Sequence, residues 1–326
     1  MRTALVTGIT GQTGSYLSDL LLADGWTVHG MVRDADDLES EFRLRSPGAQ
    51  LHNGELADAD SLRRVIAETR PTAIFNLGGL TSVAQSFDEP DLTARITGVA
   101  VAVLLDAALS LSRETGEEVS FVQASSAEMF GNATEVPQTE TTPIRPVSPY
   151  GAAKAYGHHL VGVYRGLGLR ATSCILYNHE SPRRPPQFVT RKITSSVARI
   201  AAGLDHELVL GNLDASRDWG WAPDYAAALA LAATGDPGDY VISTGVAHTV
   251  REFVEAAFTA AGIDDWQPLV RQDAAFMRPS DAPTLVGDPS LAHRVLGWSP
   301  TVGFADMVGR MVAADTAILA RTPPLT

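Results

Sequence analysis

The sequence predicts an α/β fold: a Rossmann-type doubly wound parallel sheet with a smaller, mixed α/β substrate-binding cap from the C-terminal half. Three observations predict it. The chain opens on a strand, a glycine turn and a helix. Short apolar runs then alternate with helical patterns. After Asn178 the pattern becomes irregular and richer in proline and arginine.

Thr3-Ala4-Leu5-Val6-Thr7 is a short apolar, β-branched run, followed by Gly8-Ile9-Thr10-Gly11-Gln12-Thr13-Gly14 and the amphipathic stretch Ser15 to Leu22. Such a unit aims backbone N–H groups and the positive end of a helix at a pyrophosphate. Glycines are needed because a β-carbon would block the turn or the ligand. Thr27 to Arg33, Gln50 to Asn53, Ala73 to Leu77 and Val119 to Ala124 read as further strands. Helical periodicity follows Leu56, Pro90 and Ser148. A βαβα order with short apolar strands implies a parallel sheet covered on both faces. Ligands of such sheets bind beyond the carboxyl ends of the strands, where Gly8, Leu77-Gly78-Gly79 and Ser126 fall.

In the second half, His179 to Pro186 reads as a loop. Helices are expected over Val189 to Ala202, Ala222 to Ala233, Val250 to Ala261, Ser290 to Leu296 and Phe304 to Ala320, with a strand over Asp239 to Ser243. The expected division is a dinucleotide-binding domain over residues 1–177, with returning segments near 219–245, and a mainly substrate-binding domain over 178–326.

Composition narrows the function classes. In 326 residues, 45% are hydrophobic and 19% charged, the balance of a globular protein with ample length for a core. The net charge of −13 is spread along the chain, which argues against nucleic acid or an anionic membrane as partner. Cys174 is the only cysteine, so an internal disulfide and a thiolate metal cluster are excluded; its apolar neighbours predict a buried strand position. No uncharged apolar stretch reaches about 18 residues. The apolar run after Met1-Arg2 is too short for a signal peptide, so a cytoplasmic location is expected.

Four residues carry the chemistry. Phe121 to Glu128 reads as a buried strand with a polar end, which presents Ser126 and Glu128. Ser148 suits an N-cap and Pro149 the first turn of a helix, so Tyr150 and Lys154, four apart, share one face. A lysine ammonium beside a phenol favours the phenolate and lowers its pKa, and the pair can then exchange a proton with a substrate hydroxyl. The cations Arg183-Arg184, Arg191-Lys192, Arg217 and Arg278 have two readings. They are surface or Asp-paired groups, or they grip a second diphosphate across the cleft. His158-His159 lack a third ligand at a sensible spacing, so no metal is expected.

Together these strings resemble the extended short-chain dehydrogenase/reductases, and within them the GDP-mannose 4,6-dehydratases. The likeness rests on Thr7-Gly8-Ile9-Thr10-Gly11-Gln12, Gln123-Ala124-Ser125, Ser148 to Lys154, Asn178 to Pro182, Val189 to Lys192, and Gly211 to Asp214 with Arg217 to Gly220. It implies Ser126, Glu128, Tyr150 and Lys154 as catalytic residues. Ser126 stands where the family has threonine, and Glu128 matches the carboxylate that separates dehydratases from 4-epimerases. It implies a bound NADP, with NAD as the alternative, held by Gly8, Ile9, Thr10, Gly11, Gln12, Thr13, Arg33, Glu55, Leu56, Leu77, Gly78, Gly79, Leu80, Thr81, Tyr150, Lys154, His179 and Arg184. Nucleotide-sugar contacts would fall on Ser126, Asn178, Lys192, Arg217, Arg278 and Asp281. Departures from the family pattern are Thr13 for aspartate, Asp34 for arginine, Glu55 for aspartate and Leu80 for glutamine. The implied substrate is GDP-mannose and the implied assembly a homodimer or homotetramer. Two alternatives stay open: a dehydratase or epimerase of another nucleotide sugar, and a non-catalytic NADP-binding protein.

Overall fold

The computed structural model describes residues 2–34, 42, 46–276 and 285–321. The strands in chain order are β1 (Thr3–Thr7), β2 (Thr27–Val32), β3 (Gln50–Asn53), β4 (Ala73–Asn76), β5 (Ser120–Ser126) and β6 (Arg170–Leu176). After them come β7 (Asn178–Glu180), β8 (Leu208–Leu210), β9 (Ser216–Trp221), β10 (Asp239–Ile242), β11 (Ala247–Thr249) and β12 (Val270–Gln272). Seven of them form one sheet in the order β3-β2-β1-β4-β5-β6-β10, and every neighbouring pair is parallel. β1, β4 and β5 are buried at almost every position, which is why they read as continuous apolar runs rather than alternating ones.

Helices α1 (Gln12–Ala23), α2 (Ala59–Thr69), α3 (Val83–Asp88), α4 (Pro90–Thr115) and α5 (Pro149–Gly166) alternate with these strands. They are followed by α6 (Val189–Ala201), α7 (Ala222–Thr234), α8 (Val250–Ala260), α9 (Ser290–Leu296) and α10 (Phe304–Arg321). Leu17 and Leu21 of α1 and Ala226 and Leu229 of α7 pack on one face of the sheet with Val6, Val28 and Val122. Leu62 of α2, Leu104 and Leu105 of α4 and Val161 of α5 pack on the other with Leu5 and Phe121. Burial of each such side chain is worth about 1.5–3 kcal/mol, so the two layers clamp the sheet. α4 has the length and apolar composition of a membrane-crossing helix, but Ala100, Val101, Leu104, Leu105 and Ala108 bury one of its faces in this layer.

A third core gathers α6, α8 and α10 around Ile193, Val197, Phe253, Phe258, Met307 and Met311, with Trp219 of β9. β7, β9 and β11 form a small sheet beside it, and β8 pairs with β12. One expectation fails here. The first residues of the stretch read as a loop, His179 and Glu180, belong to β7, because they pair with Gly220 and Trp221 of β9. That partner lies 41 residues away in the chain, and the local proline-arginine pattern carries no sign of it.

Candidate active site

The site lies at the carboxyl ends of β1, β4 and β5. Gly8 ends the first strand at φ +68°, and a β-carbon there would stand 2.9 Å from the backbone nitrogen of Gly78. At Gly14 a β-carbon would collide with the Gly8 carbonyl, so α1 packs hard against the turn. Gly11 caps α1 without any side-chain hydrogen bond, which leaves the first N–H groups of the helix to whatever lies in front of them. This cradle fits a pyrophosphate. Thr10 is exposed at its rim, whereas Ile9 is fully buried and offers only backbone.

Gln12 and Thr13 reach across to the second half of the chain. Gln12 donates to the His179 carbonyl at 2.8 Å and accepts from Ser181 Oγ at 2.7 Å. His179 Nδ1 lies 2.8 Å from the Tyr177 carbonyl, so it carries the proton, and Nε2 accepts from the Thr13 hydroxyl at 2.7 Å. Burial pushes this imidazole down to about 4. It is neutral, stacks on Tyr225, and ties the glycine turn to β7.

Behind the turn runs a set of ties that the sequence did not reveal. Thr7 Oγ donates to Asn76 Oδ1 at 2.7 Å, and Asn76 Nδ2 donates to Gln123 Oε1 at 2.9 Å. The Gly78 N–H donates to Thr7 Oγ at 2.9 Å. Thr7, Asn76 and Gln123 are register partners on adjacent strands and are all buried. They fix the strand ends in a medium where an unpaired amide would cost about 1–3 kcal/mol. The following segment, Leu77 to Thr81, is partly exposed, and the Leu80 N–H donates to Thr97 Oγ at 3.1 Å from a π-helical turn of α4. Arg33 is exposed at the end of β2. Ser61 brackets Glu55, accepting from its N–H at 2.8 Å and donating to its carbonyl at 3.1 Å. Leu56 packs next to Gly78.

The four chemistry-bearing residues come together at the end of β5 and the start of α5. Ser126 ends β5 and caps a single 3₁₀ turn, its Oγ accepting from the Glu128 N–H at 3.2 Å. Ser148 caps α5 by accepting from Gly151 N at 3.0 Å. A β-carbon on Gly151 would stand 2.6 Å from the Glu128 carbonyl, so the start of α5 presses onto the Glu128 turn. The Tyr150 phenol lies beside Ser126, and Glu128 is half-buried near them. Lys154 is buried, donates to the Ala124 carbonyl at 2.7 Å and sits 5.8 Å from the centre of the Tyr150 ring.

The electrostatics correct one expectation. Burial pushes the Tyr150 phenol up to about 12, an effect that the neighbouring Ser126 hydroxyl only partly offsets, and nearby Glu128 raises it further. Burial lowers the Lys154 ammonium to about 8, and one of its N–H groups donates to the Ala124 carbonyl.

Opposite, the cations divide. Arg183 pairs with Asp19 at 2.8 Å and lies over Tyr16, while Arg191 pairs with buried Asp315 at 2.7 Å; both are structural. Arg184 lies over Phe188 and 3.3 Å from the buried Glu180 carboxylate. Lys192 is partly buried over the Phe276 ring, and burial lowers its pKa. Arg217 is buried and donates to the Ser216 carbonyl at 2.7 Å. Asn178 heads β7, in register with Trp219. Arg278 and Asp281 lie outside the described residues. Asp218, read at first only as the neighbour of Arg217, accepts from Thr244 N, Thr244 Oγ and Gly245 N and so anchors a distant loop. Among the described residues no cluster of metal-ligating side chains occurs.

Residues 5–311 match the family described as GDP-mannose 4,6 dehydratase. The GDP-mannose 4,6 dehydratase 1 of Arabidopsis thaliana is 43% identical, over 98% of this chain and 91% of the relative. A UDP-glucose 4-epimerase from Thermotoga maritima, solved with UDP-glucose, has a TM-score of 0.85 at 26% identity and covers 97% of this chain and 99% of its own. A Thermus thermophilus UDP-glucose 4-epimerase, solved with NAD, has a TM-score of 0.82 at 30% identity, over 96% and 98% of the two chains.

Proposed function

The chain belongs to the GDP-mannose 4,6-dehydratase family, and we propose that Ser126, Glu128, Tyr150 and Lys154 carry its reaction, GDP-mannose to GDP-4-keto-6-deoxymannose. The observation that carries this reading is the close seat of α5 on the Glu128 turn, which puts a carboxylate, a phenol and a serine hydroxyl at one strand end. A bound nicotinamide dinucleotide would supply a hydride acceptor for carbon 4 and a hydride donor for carbon 6. Tyr150 takes the proton of the 4-hydroxyl while Ser126 holds the 4-oxygen. Lys154 fixes the Tyr150 ring from its anchor on Ala124. Glu128 removes the hydrogen of carbon 5, made acidic by the new ketone, and hands a proton to the hydroxyl leaving carbon 6. Carbon 5 is then reprotonated, which balances the proton Tyr150 took. One water leaves, and there is no net oxidation.

The glycine turn from Gly8 to Thr13, with Leu77 to Thr81, would hold the dinucleotide, and Glu55 and Leu56 would border its adenine. Arg33 favours NADP through the 2′-phosphate, despite neighbouring Asp34. His179 and Arg184 would close the cradle from β7. Asn178, Lys192 and Arg217, with Arg278 and Asp281, would hold the nucleotide sugar. The division into residues 1–177 with 219–245 for the dinucleotide and 178–326 for the sugar nucleotide follows from this arrangement. Exposed Val99 of α4 and Tyr156, Val163 and Leu167 on or beside α5 offer an apolar surface for a second copy. GDP-mannose deuterated at carbon 4 tests the reading. Deuterium recovered at carbon 6 supports it, and loss of label to the dinucleotide pool contradicts it.

A further inference from the structure

Tyr150 and Lys154 belong to a stripe that continues one turn further. His158 lies four residues beyond Lys154 on α5 and is likewise buried. Its Nδ1 is 3.3 Å from the Oγ of buried Ser125, the residue before Ser126. Its Nε2 faces the Asp239 carboxylate at 3.9 Å, and Asp239 in turn pairs with Arg165 at 2.6 Å. Arg165 Nε donates to the Ala171 carbonyl of β6 at 2.7 Å. The His159 ring meets His158 edge-on. Burial lowers the His158 pKa, and Asp239 only partly restores it, so the ring is neutral and offers one donor and one acceptor.

The consequence is a registration over three consecutive residues of β5: Lys154 holds the Ala124 carbonyl, His158 holds the Ser125 side chain, and Tyr150 lies beside Ser126. We propose that His158, through its contact with Ser125, is a positioning residue that sets the register of α5 on the end of β5 and so the aim of the Tyr150 phenol. This rests on the reading of Tyr150 as the proton acceptor.

His158→Phe keeps the bulk and removes the bond, and His158→Asn restores a polar group near the Nδ1 position. His158→Phe is expected to lower kcat about tenfold or more with little change in KM, since small misplacements of reacting groups are costly. His158→Asn should recover most of the loss. Ser125→Ala should resemble His158→Phe, and the double variant should lose little more than either alone. Amide hydrogen exchange over Ser148 to Lys154 gives an activity-free readout: protection there should fall about tenfold in His158→Phe while α10 is unchanged. Unchanged kcat, additive losses, no rescue by Asn, or unaltered exchange over that turn would each overturn the proposal. The exchange arm decides it even if the wild-type protein fails to dehydrate GDP-mannose, a result that would sink the functional reading separately.

Discussion

The two sides of the cleft use buried polar groups in opposite ways. On the sheet side, Thr7, Asn76 and Gln123 satisfy one another across adjacent strands and carry no charge. On the cap side, Asp218 and Asp315 are buried carboxylates that fasten segments far apart in sequence, Glu180 receives Thr190, and Asp224 of α7 ties the sheet layer to Thr301. Asp224 alone receives Thr301 N, Thr301 Oγ and Val302 N. Neutral ties suit strand ends that parallel pairing already holds in register. Charged anchors suit loops that have no ladder to hold them, at the cost of sensitivity to pH and to loss of a single partner. The difference teaches where ligand-facing groups are set by backbone and where they depend on a few side chains.

The largest expected effect lies on the sheet side and leaves the fold alone. Glu128→Gln should lower dehydration by about 10²–10⁴-fold, the usual range for a positioned general acid–base. Binding of sugar nucleotide and dinucleotide, followed by calorimetry, should stay largely intact. Wild-type dehydration in this variant would remove Glu128 from the mechanism.

Stability should separate the two sides. Asp218→Ala strips three bonds to a buried carboxylate from the partly exposed Thr244–Gly245 loop, each worth about 1.5–3 kcal/mol, and should cost about 3–5 kcal/mol. Asn76→Ala breaks neutral ties and should cost about 1–3 kcal/mol. Urea midpoints measure both, and equal losses would erase the contrast.

The joint between the sides should show in acid. The His179 value is depressed in the fold to about 4, so the unfolded chain binds its proton more readily. Stability from this residue is therefore full above the ordinary imidazole value and is lost as pH falls from about 6.5 through 4, by up to about 3 kcal/mol. Glu180, Asp218 and Asp315, whose values burial raises, act in the reverse sense: their contribution is full below the ordinary carboxylate range and is lost as pH rises. Comparing denaturation midpoints of wild type and His179→Gln between these limits isolates the histidine. Identical pH dependence would refute its assignment as a neutral, bonded ring. The smallest effect is at the rim: Arg33→Ala should weaken NADP by about tenfold, near 1.4 kcal/mol, and NAD hardly at all. Equal losses for both would exclude a 2′-phosphate contact.

Legibility in the sequence follows the same line. The sheet side was readable because its signals are local. Ser148 and Pro149 start α5, Gly297 at φ +66° stops α9, and apolar runs mark β1, β4 and β5 to within a few residues. The Tyr150–Lys154 spacing placed both on one face of α5. The raised Tyr150 phenol was not readable, because desolvation depends on what packs over the ring. β7, β8 and β12 are three residues each and exist only through remote pairing. The anchors of Asp218, Asp224 and Asp315 join partners from 26 to 121 residues away, a distance at which residue spacing carries no information.

The most direct test is incubation of the purified protein with GDP-mannose and a catalytic amount of NADP, followed by mass analysis of the sugar nucleotide. Loss of one water with no net NADPH is the expected result. An unchanged mass, or NADPH accumulating in step with product, would contradict a redox-neutral dehydration at Glu128 and Tyr150.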